Sequence, residues 1–509
     1  MGRDALLALL KALPNLRRLS VGRPRATQDH GLPHDPRVDA ANAADADAAQ
    51  QAVVALTARG GVRSLESVVA PRMAINEEVG RCLGLCPRLS KVVAGDVDER
   101  WERPQLQLNA LTSLRLSWIK DTARIRQALQ PRCFPLLQRL SGVSLGPDDA
   151  ARLAAAAPRL RRLACWTEEE SDWAPPLGFA FESLTHLHVH ADPGFAKVQF
   201  DAVFPAVEHL NLCSSLVETL NDEIEEFDVA RVLAAATGLR SLALNNHPEE
   251  GLTPAAWDAA AAAAAATPGR LTHLRVSLDA CDRAALARLS SITSVERLEL
   301  KLLSDASPRE RRDDEDSEEQ AAEEEEEHAF GGAGDGGGGG EPGGGFDAIM
   351  AAEAAAYADM PPVPVAAALE AAAQLPRLSA LTVSLDAAWM SAYVRGSDWG
   401  PEPLAAFSRG AKGLRTLVFR GSLVPPEWVL RELAAIPGLH SIEVEAEPAP
   451  LPEGLVWPIR PAGAEERAAA VERAGAASRA AGGPGMVMRA RGHVDRACPE
   501  CMWQLEEHA

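Results

Sequence analysis

Aromatic residues are scarce in this chain of 509 residues: two tyrosines, eleven phenylalanines and ten tryptophans make up 5% of it. The tryptophans are dispersed, so the sequence offers no stacking platform of the kind that holds single-stranded nucleic acid. Catalytic signatures are missing as well. No H-E-x-x-H, G-x-S-x-G or G-x4-G-K-[ST] stretch occurs, which leaves no residue to assign to metalloprotease, acyl-transfer or nucleotide-phosphate chemistry. The one G-x-G-x-x-G match (Gly334, Gly336, Gly339) lies inside a glycine run, where it neither follows a strand nor opens a helix. A non-enzymatic protein without a cofactor is the expectation.

Long apolar runs are absent too. The alanine-rich stretches are broken by charge and proline before they reach the length of a membrane span. The opening MGRDALLALLKALPN interrupts its short apolar segment with charge, unlike a secretory signal. Cys82, Cys86, Cys133, Cys165, Cys213, Cys281, Cys498 and Cys501 are scattered, unlike the dense framework of a small disulfide-bonded domain. The expected setting is intracellular with reduced thiols, cytoplasmic first, with cytoskeleton and nucleus as alternatives.

What is present in excess is negative charge: 72 Asp and Glu stand against 51 Lys and Arg, a formal net charge of −21. Eleven of those acids fall between Asp313 and Glu327, and without them the chain carries only −10. Such a balance argues against general binding to nucleic acid or to an anionic membrane, while leaving room for a local basic strip.

The organising feature is a repeat. LPNLRRLSV (Leu13–Val21) recurs as CPRLSKVVA, LTSLRL, FPLLQRLSG, APRLRRLAC, FESLTHLHV, FPAVEHLNL, ATGLRSLAL, PGRLTHLRV, ITSVERLEL, LPRLSALTV, AKGLRTLVF and IPGLHSIEV, with a weaker copy framed on Val62. The intervals run from 22 to 36 residues except for two, of 46 and 83. The recurring L-x-x-L-x-L core resembles the leucine-rich repeat family over roughly residues 1–447. The irregular spacing and helix-like returns are most similar to its intracellular ribonuclease-inhibitor and F-box-associated members. The resemblance implies an α/β solenoid, a horseshoe with a parallel β-sheet on the concave face and helices on the convex face. Helical returns are read at 148–158, 229–237, 285–292 and 428–437, and at 253–269, where Thr253 is a candidate N-cap and Pro254 a first helical residue. The family's usual Asn at the ninth position is absent, so irregular repeats are expected.

The domain reading follows. Residues 1–306 are repeats with a polar insertion at about 23–48. Residues 307–346 are a disordered acidic and glycine-rich insertion, unable to bury enough apolar surface to offset its ordering entropy. Repeats resume over 347–447, with helices near 347–358 and 364–374. Residues 448–509 form a Pro/Ala-rich tail with a helix at about 464–481.

The stretch ESLTHLHVHADPG places His186, His188 and His190 at every second position, on one side of a strand. In an L-x-x-L-x-L strand the first, fourth and sixth residues point inward, and the third and fifth face solvent. The third positions read Arg18, Ser64, Lys91, Ser113, Arg139, Arg162, His186, His209, Ser241, His273, Arg297, Ala380, Thr416 and Ser441, with no acid among them. The fifth positions add Arg115, His188, Asn211 and Arg275, together with Glu66, Glu299 and Glu443.

Three readings of that face stand side by side. Its polar residues serve solubility alone. Or Arg18, Lys91, Arg115, Arg139, Arg162, His186, His188, His209, His273 and Arg297 form a strip that docks an acidic protein partner, more strongly as pH falls through the histidine range near 6.5. Or His186, His188 and His209 converge on a metal, with Cys213 as the only further donor nearby. The tethered block Asp313–Glu327 is a candidate intramolecular competitor for the basic strip. In the tail, His493, Cys498, Cys501 and His508 have the spacing H-x4-C-x2-C-x6-H, which supplies four candidate zinc ligands.

The function expected is a protein–protein interaction scaffold that binds through the concave face. The alternatives are a substrate receptor of a cullin-type ubiquitin ligase and an axonemal or cytoskeletal structural protein. Against the first, no F-box-like segment precedes the repeats, and the chain opens in a helix that leads straight into Leu16, as a fragment would.

Overall fold

The computed structural model describes residues 15–21, 36–57, 63–97, 108–116, 134–168, 172–174, 177–191, 193–214, 217–218, 224–225, 229–245, 257–258, 260–262, 271–279, 283–303, 364–385, 398–421, 425–446, 472–473, 476 and 485–490. The acidic and glycine-rich insertion 307–346, the helix read at 347–358, Thr253 and Pro254, and the four Cys and His residues of the tail lie outside the described residues.

Fifteen strands make one parallel sheet whose spatial order is the chain order. They are β1 (Arg18–Ser20), β2 (Ser67–Ile75), β3 (Lys91–Val97), β4 (Ser113–Leu116), β5 (Arg139–Leu145), β6 (Arg162–Thr167), β7 (His186–Ala191), β8 (His209–Ser214), β11 (Ser241–Asn245), β12 (His273–Asp279), β13 (Arg297–Leu303), β14 (Ala380–Leu385), β15 (Thr416–Gly421), β16 (Ser441–Ala446) and β17 (Gly485–Ala490). Between β8 and β11 a short antiparallel pair, β9 (Val217–Glu218) with β10 (Ile224–Glu225), stands apart from it. This is the leucine-rich-repeat α/β solenoid that the repeat pattern implies.

The repeat consensus acts through two hydrogen-bonded devices. In the first, the carbonyl of each second-position residue accepts the N–H groups of the second and third positions of the next repeat. Arg17 O receives Glu66 N (2.8 Å) and Ser67 N (3.1 Å), Glu66 O receives Ser90 N and Lys91 N, and so on without a gap to Arg415 O, which receives His440 N and Ser441 N. At four second positions a Ser or Thr hydroxyl donates to the same acceptor: Ser90 to Glu66 O, Thr112 to Ser90 O, Thr185 to Arg161 O, Ser379 to Glu296 O. In the second device, a tight turn enters most of the strands, its N–H···O=C bond running back three residues from the first core residue. Leu89 N donates to Cys86 O, Leu137 N to Phe134 O, Leu184 N to Phe181 O and Leu439 N to Ile436 O. Cys86, Phe134, Phe181 and Ile436 are all buried. The residue three before the first leucine is therefore a fourth core position, which the L-x-x-L-x-L pattern does not include.

Alternation along each strand then sorts the side chains. In β8, Leu210 and Leu212 are buried and His209 and Asn211 face the open side. Each such leucine removed from water contributes about 1.5–3 kcal/mol, and stacking joins these layers into one continuous core cluster from Leu19 to Val444. Helices cover the other face. Those at Pro147–Ala156, Val229–Ala235, Arg283–Leu289, Val365–Ala373 and Glu427–Ala434 lie where helical returns are read from the sequence. Val365–Ala373 packs on Pro401–Gly410, and both helices bury apolar side chains such as Leu369 and Phe407. Among the described residues no helix is long and apolar enough to cross a membrane.

Three sequence readings change. The weak copy framed on Val62 sits three residues later: Leu65, Val68 and Ala70 are buried, and Ser67 pairs with both Arg18 and Lys91. Framing on Val62 would have put the polar Ser67 inward. So Ser67 replaces Ser64 in the third-position row, and Glu66 takes the second position, 3.9 Å from Arg17. The described part of the insertion read at 23–48 belongs to a helix, Pro36–Thr57, with Ala49, Ala52 and Val53 buried. Its alanines bury little area each but are strong helix formers. Finally, the segment read as a tail contains β17, which pairs with β16 from Ser441↔Gly485 to Ala446↔Ala490.

One glycine is demanded by the sheet. At the bulge between Ser141 and Val143, Gly142 has φ +80°, and a Cβ there would meet the Leu116 carbonyl oxygen at 1.8 Å. Gly142→Ala is expected to destabilise the array by more than about 2 kcal/mol, combining left-handed strain with a backbone clash. A urea midpoint equal to wild type would show that the bulge relaxes freely.

Candidate functional site

The third-position row is one straight line of cross-strand pairs: Arg18↔Ser67↔Lys91↔Ser113↔Arg139↔Arg162↔His186↔His209↔Ser241↔His273↔Arg297↔Ala380↔Thr416↔Ser441. Every one of these side chains is at least partly exposed. The fifth and seventh positions run alongside. From β1 to β12 no Asp or Glu occupies the third, fifth or seventh position of any strand. Along these three rows the first carboxylate is Glu299, in β13.

Glu299 is held. His273 Nε2 lies 3.5 Å from Oε1, and Arg275 Nε and Arg420 Nη1 each lie 3.8 Å from Oε2. Burial alone pushes its pKa up, but the His273 hydrogen bond and the two guanidinium charges outweigh that and hold it at about 2. Arg297 and Lys301 belong to the same strand. Hence His273, Arg275 and Arg420, from β12 and β15, converge on one carboxylate of β13.

The histidines divide into two groups. His186 and His209, neighbours in the row, stack with ring centroids 4.1 Å apart and planes 15° from parallel. Thr185 Oγ1 lies 2.9 Å from His186 Nδ1. Burial, then the His209 and Arg162 charges, lower the His186 pKa to about 4. Burial likewise lowers that of His209, with His273, Arg162 and Arg240 adding to the effect against Glu208. The expectation that this row gains positive charge through pH 6.5 is therefore corrected at His186. Flat stacking also points the two rings at each other rather than at a shared ion, so His186, His188 and His209 do not form the metal trio.

The second group is His188, His190, Asn211 and Cys213. His188 and His190 are alternate residues on one side of β7; Asn211 is the cross-strand partner of His188 and Cys213 that of His190. With strands about 4.8 Å apart and same-face neighbours about 6.7 Å apart, four such side chains share one small area. His188 Nε2 is 3.1 Å from His190 Nε2 and 3.8 Å from Cys213 Sγ, and Asn211 Nδ2 is 2.8 Å from His188 Nδ1. The Trp166 indole stacks on His190 at 5.1 Å and 14°. His188 is 2% exposed and Cys213 6%, although Cys213 lies outside the core cluster. The other buried thiols belong to that cluster, and burial pushes Cys165 up to about 12 and, with the Cys82 charge, Cys86 up to about 11. Cys213 and His190 occupy the seventh position, beyond the six-residue consensus. The H-x-H against N-x-C correspondence between consecutive repeats is the signal that pairs them.

Replacing Glu299 by Gln should cost about 1–2 kcal/mol at pH 7, between the values of exposed and buried pairs, because Arg275 and Arg420 lose their counter-charge. A depressed carboxylate contributes its stabilisation above the ordinary value of 4.5 and loses it as pH falls through about 2. The difference between wild type and Glu299→Gln in chemical denaturation should therefore shrink between pH 4.5 and pH 2. A gap of constant size across that window would mean that the ion cluster contributes nothing.

No protein-family model matches the chain, and neither does any curated protein. Among solved structures it is similar to the LRR ectodomain of the plant membrane receptor kinase GASSHO1/SCHENGEN3 from Arabidopsis thaliana, in complex with CASPARIAN STRIP INTEGRITY FACTOR 2. The identity is 10% and the TM-score 0.26; the match covers 77% of this chain and spans 46% of that ectodomain. The fold assignment rests on the unbroken parallel ladder itself, and by that ladder the chain has the fold of a leucine-rich-repeat solenoid.

Proposed function

We propose that this protein is a non-enzymatic interaction scaffold whose concave sheet face binds an acidic surface of a protein partner. One observation carries the reading: in a chain of net charge −21, the open face from β1 to β12 holds no carboxylate at its third, fifth or seventh positions. Arg18, Lys91, Arg115, Arg139, Arg162, Arg275 and Arg297 stand on those rows. Solubility alone does not require such sorting, since Glu and Asp serve it as well as Lys and Arg. A positive face on an acidic molecule selects an anionic partner and orients it on approach. Such binding weakens as salt shortens the Debye length to about 8 Å at physiological ionic strength and further beyond it.

The test is affinity purification of the tagged full-length chain beside a variant carrying Arg139→Glu, Arg162→Glu and Arg297→Glu, with circular dichroism to confirm that both are folded. A partner recovered with wild type should fall at least tenfold with the variant, and should be eluted by raising salt. Equal recovery of every partner by both chains would place binding elsewhere and overturn the reading.

A further inference from the structure

We infer that His188, His190 and Cys213 form a binding site for one zinc ion on the concave face. The three donors converge before any metal is added: their ligand atoms all lie within 4.8 Å of one another. A tetrahedral zinc with Zn–N of about 2.05 Å and Zn–S of about 2.3 Å requires N···N of about 3.3 Å and N···S of about 3.6 Å. The His188–His190 separation of 3.1 Å and the His188–Cys213 separation of 3.8 Å each come within a few tenths of an ångström of those edges. Only the remaining His190–Cys213 edge has to adjust, and His190 is the partly exposed member of the set.

The surroundings supply what a metal ligand needs beyond its donor atom. A ligating imidazole is oriented by the hydrogen bond that its other nitrogen makes. Asn211 sits 2.8 Å from His188 Nδ1, and its amide turned with Oδ1 toward that nitrogen accepts the Nδ1–H and frees Nε2 for the ion. Which way an amide points is an assignment from the local network, so both orientations fit the same position. Trp166, stacked on His190, fixes the plane of the second ring. Burial of His188 and Cys213 outside the core cluster removes water from two of the three donors without placing them among leucines.

Donor chemistry selects the ion. Two imidazoles and a thiol favour a borderline-soft cation over magnesium or calcium, which take oxygen. On binding, the Cys213 thiol gives its proton to solvent and the thiolate sulfur forms the Zn–S bond. Two neutral imidazoles complete the protein's share, and with zinc remaining Zn(II) the net charge of the ion and its ligands is +1. Cys213 is the one anionic ligand of the three, so its loss removes charge compensation as well as a bond. The fourth position lies toward the open side of the sheet, where water completes the tetrahedron.

The experiment uses the full-length chain with Cys498→Ser and Cys501→Ser, so that metal held by the tail does not count. Metal-stripped protein is titrated with Co(II) and, separately, with Zn(II), reading the thiolate-to-cobalt charge-transfer band and the metal content after gel filtration. One equivalent bound with that band is the expected result. In the same background, Cys213→Ala should abolish both the band and the equivalent. Asn211→Ala should keep the stoichiometry and weaken affinity about 10–100-fold, as loss of a group that orients a ligand does. His186→Ala, in the stacked pair, should change neither. Absence of the cobalt band in the parent chain, or its persistence in Cys213→Ala, would overturn the assignment. Because none of these variants touches Arg139, Arg162 or Arg297, the site is tested independently of partner docking.

Discussion

Each repeat hands its second-position carbonyl to two N–H groups of the next, and the remaining geometry depends on that bond pair. It recurs from Arg17 to Ser441 and survives the largest irregularity of the chain, since Glu296 O receives Ser379 N and Ala380 N across an 83-residue gap in sequence. The bond pair fixes register, and register fixes which side chains share a face, because a slip of one residue would exchange the two faces of a strand. The acid-free row is thus a consequence of backbone pairing. Its members need no contact with one another to stay aligned.

The rows could be read from the sequence because a strand period of two is a strong signal once the leucines set the frame. Arg139, Arg162, His186, His209 and Arg297 take the places that the consensus assigns them. Reading failed where the frame was set by weaker evidence. Val62 and Leu65 are both apolar, and only the requirement to bury Val68 and Ala70 chooses between them. The helix at Pro36–Thr57 was read as a polar insertion because aspartates and glutamines punctuate its alanines, and its buried side is narrow. The entry-turn residue was in view throughout, as the Phe of FESL and FPAV or the Ile of IPGL, but it precedes the first leucine and belongs to no six-residue pattern. For the same reason the cluster at His188, His190 and Cys213 was only half legible. Its third donor stands at the seventh position of the following strand, so the correspondence appears only when two repeats are laid side by side.

Charge on the face is organised in zones. The early strands present Arg18, Lys91, Arg115, Arg139 and Arg162. In the middle, burial and the neighbouring His209 and Arg162 charges keep His186 uncharged down to about pH 4. Past it, Arg275 and Arg420 gather round Glu299, with Arg297 and Lys301 on the same strand. Glu299 is less a negative feature than a means of packing guanidinium groups closely, since each gains a partner where repulsion would otherwise spread them. A carboxylate held at about 2 stays charged through every physiological condition, so Glu299 keeps its guanidinium partners throughout that range.

A solenoid is energetically close to one-dimensional: each repeat answers mainly to its two neighbours. That locality explains how one sheet carries two chemically different neighbourhoods. Cys213 in β8 and Glu299 in β13 are separated by β11 and β12, about 14 Å at the usual strand spacing, beyond the 7–10 Å over which substitutions ordinarily couple. His188 meets His190 of β7 and Asn211 and Cys213 of β8, while Trp166 of β6 stacks on His190, so the cluster is a property of three consecutive repeats. A change in those side chains uncovers the imidazole without opening the leucine layer beneath. The core thereby sets positions and the open face sets chemistry, and each can vary while the other stays fixed.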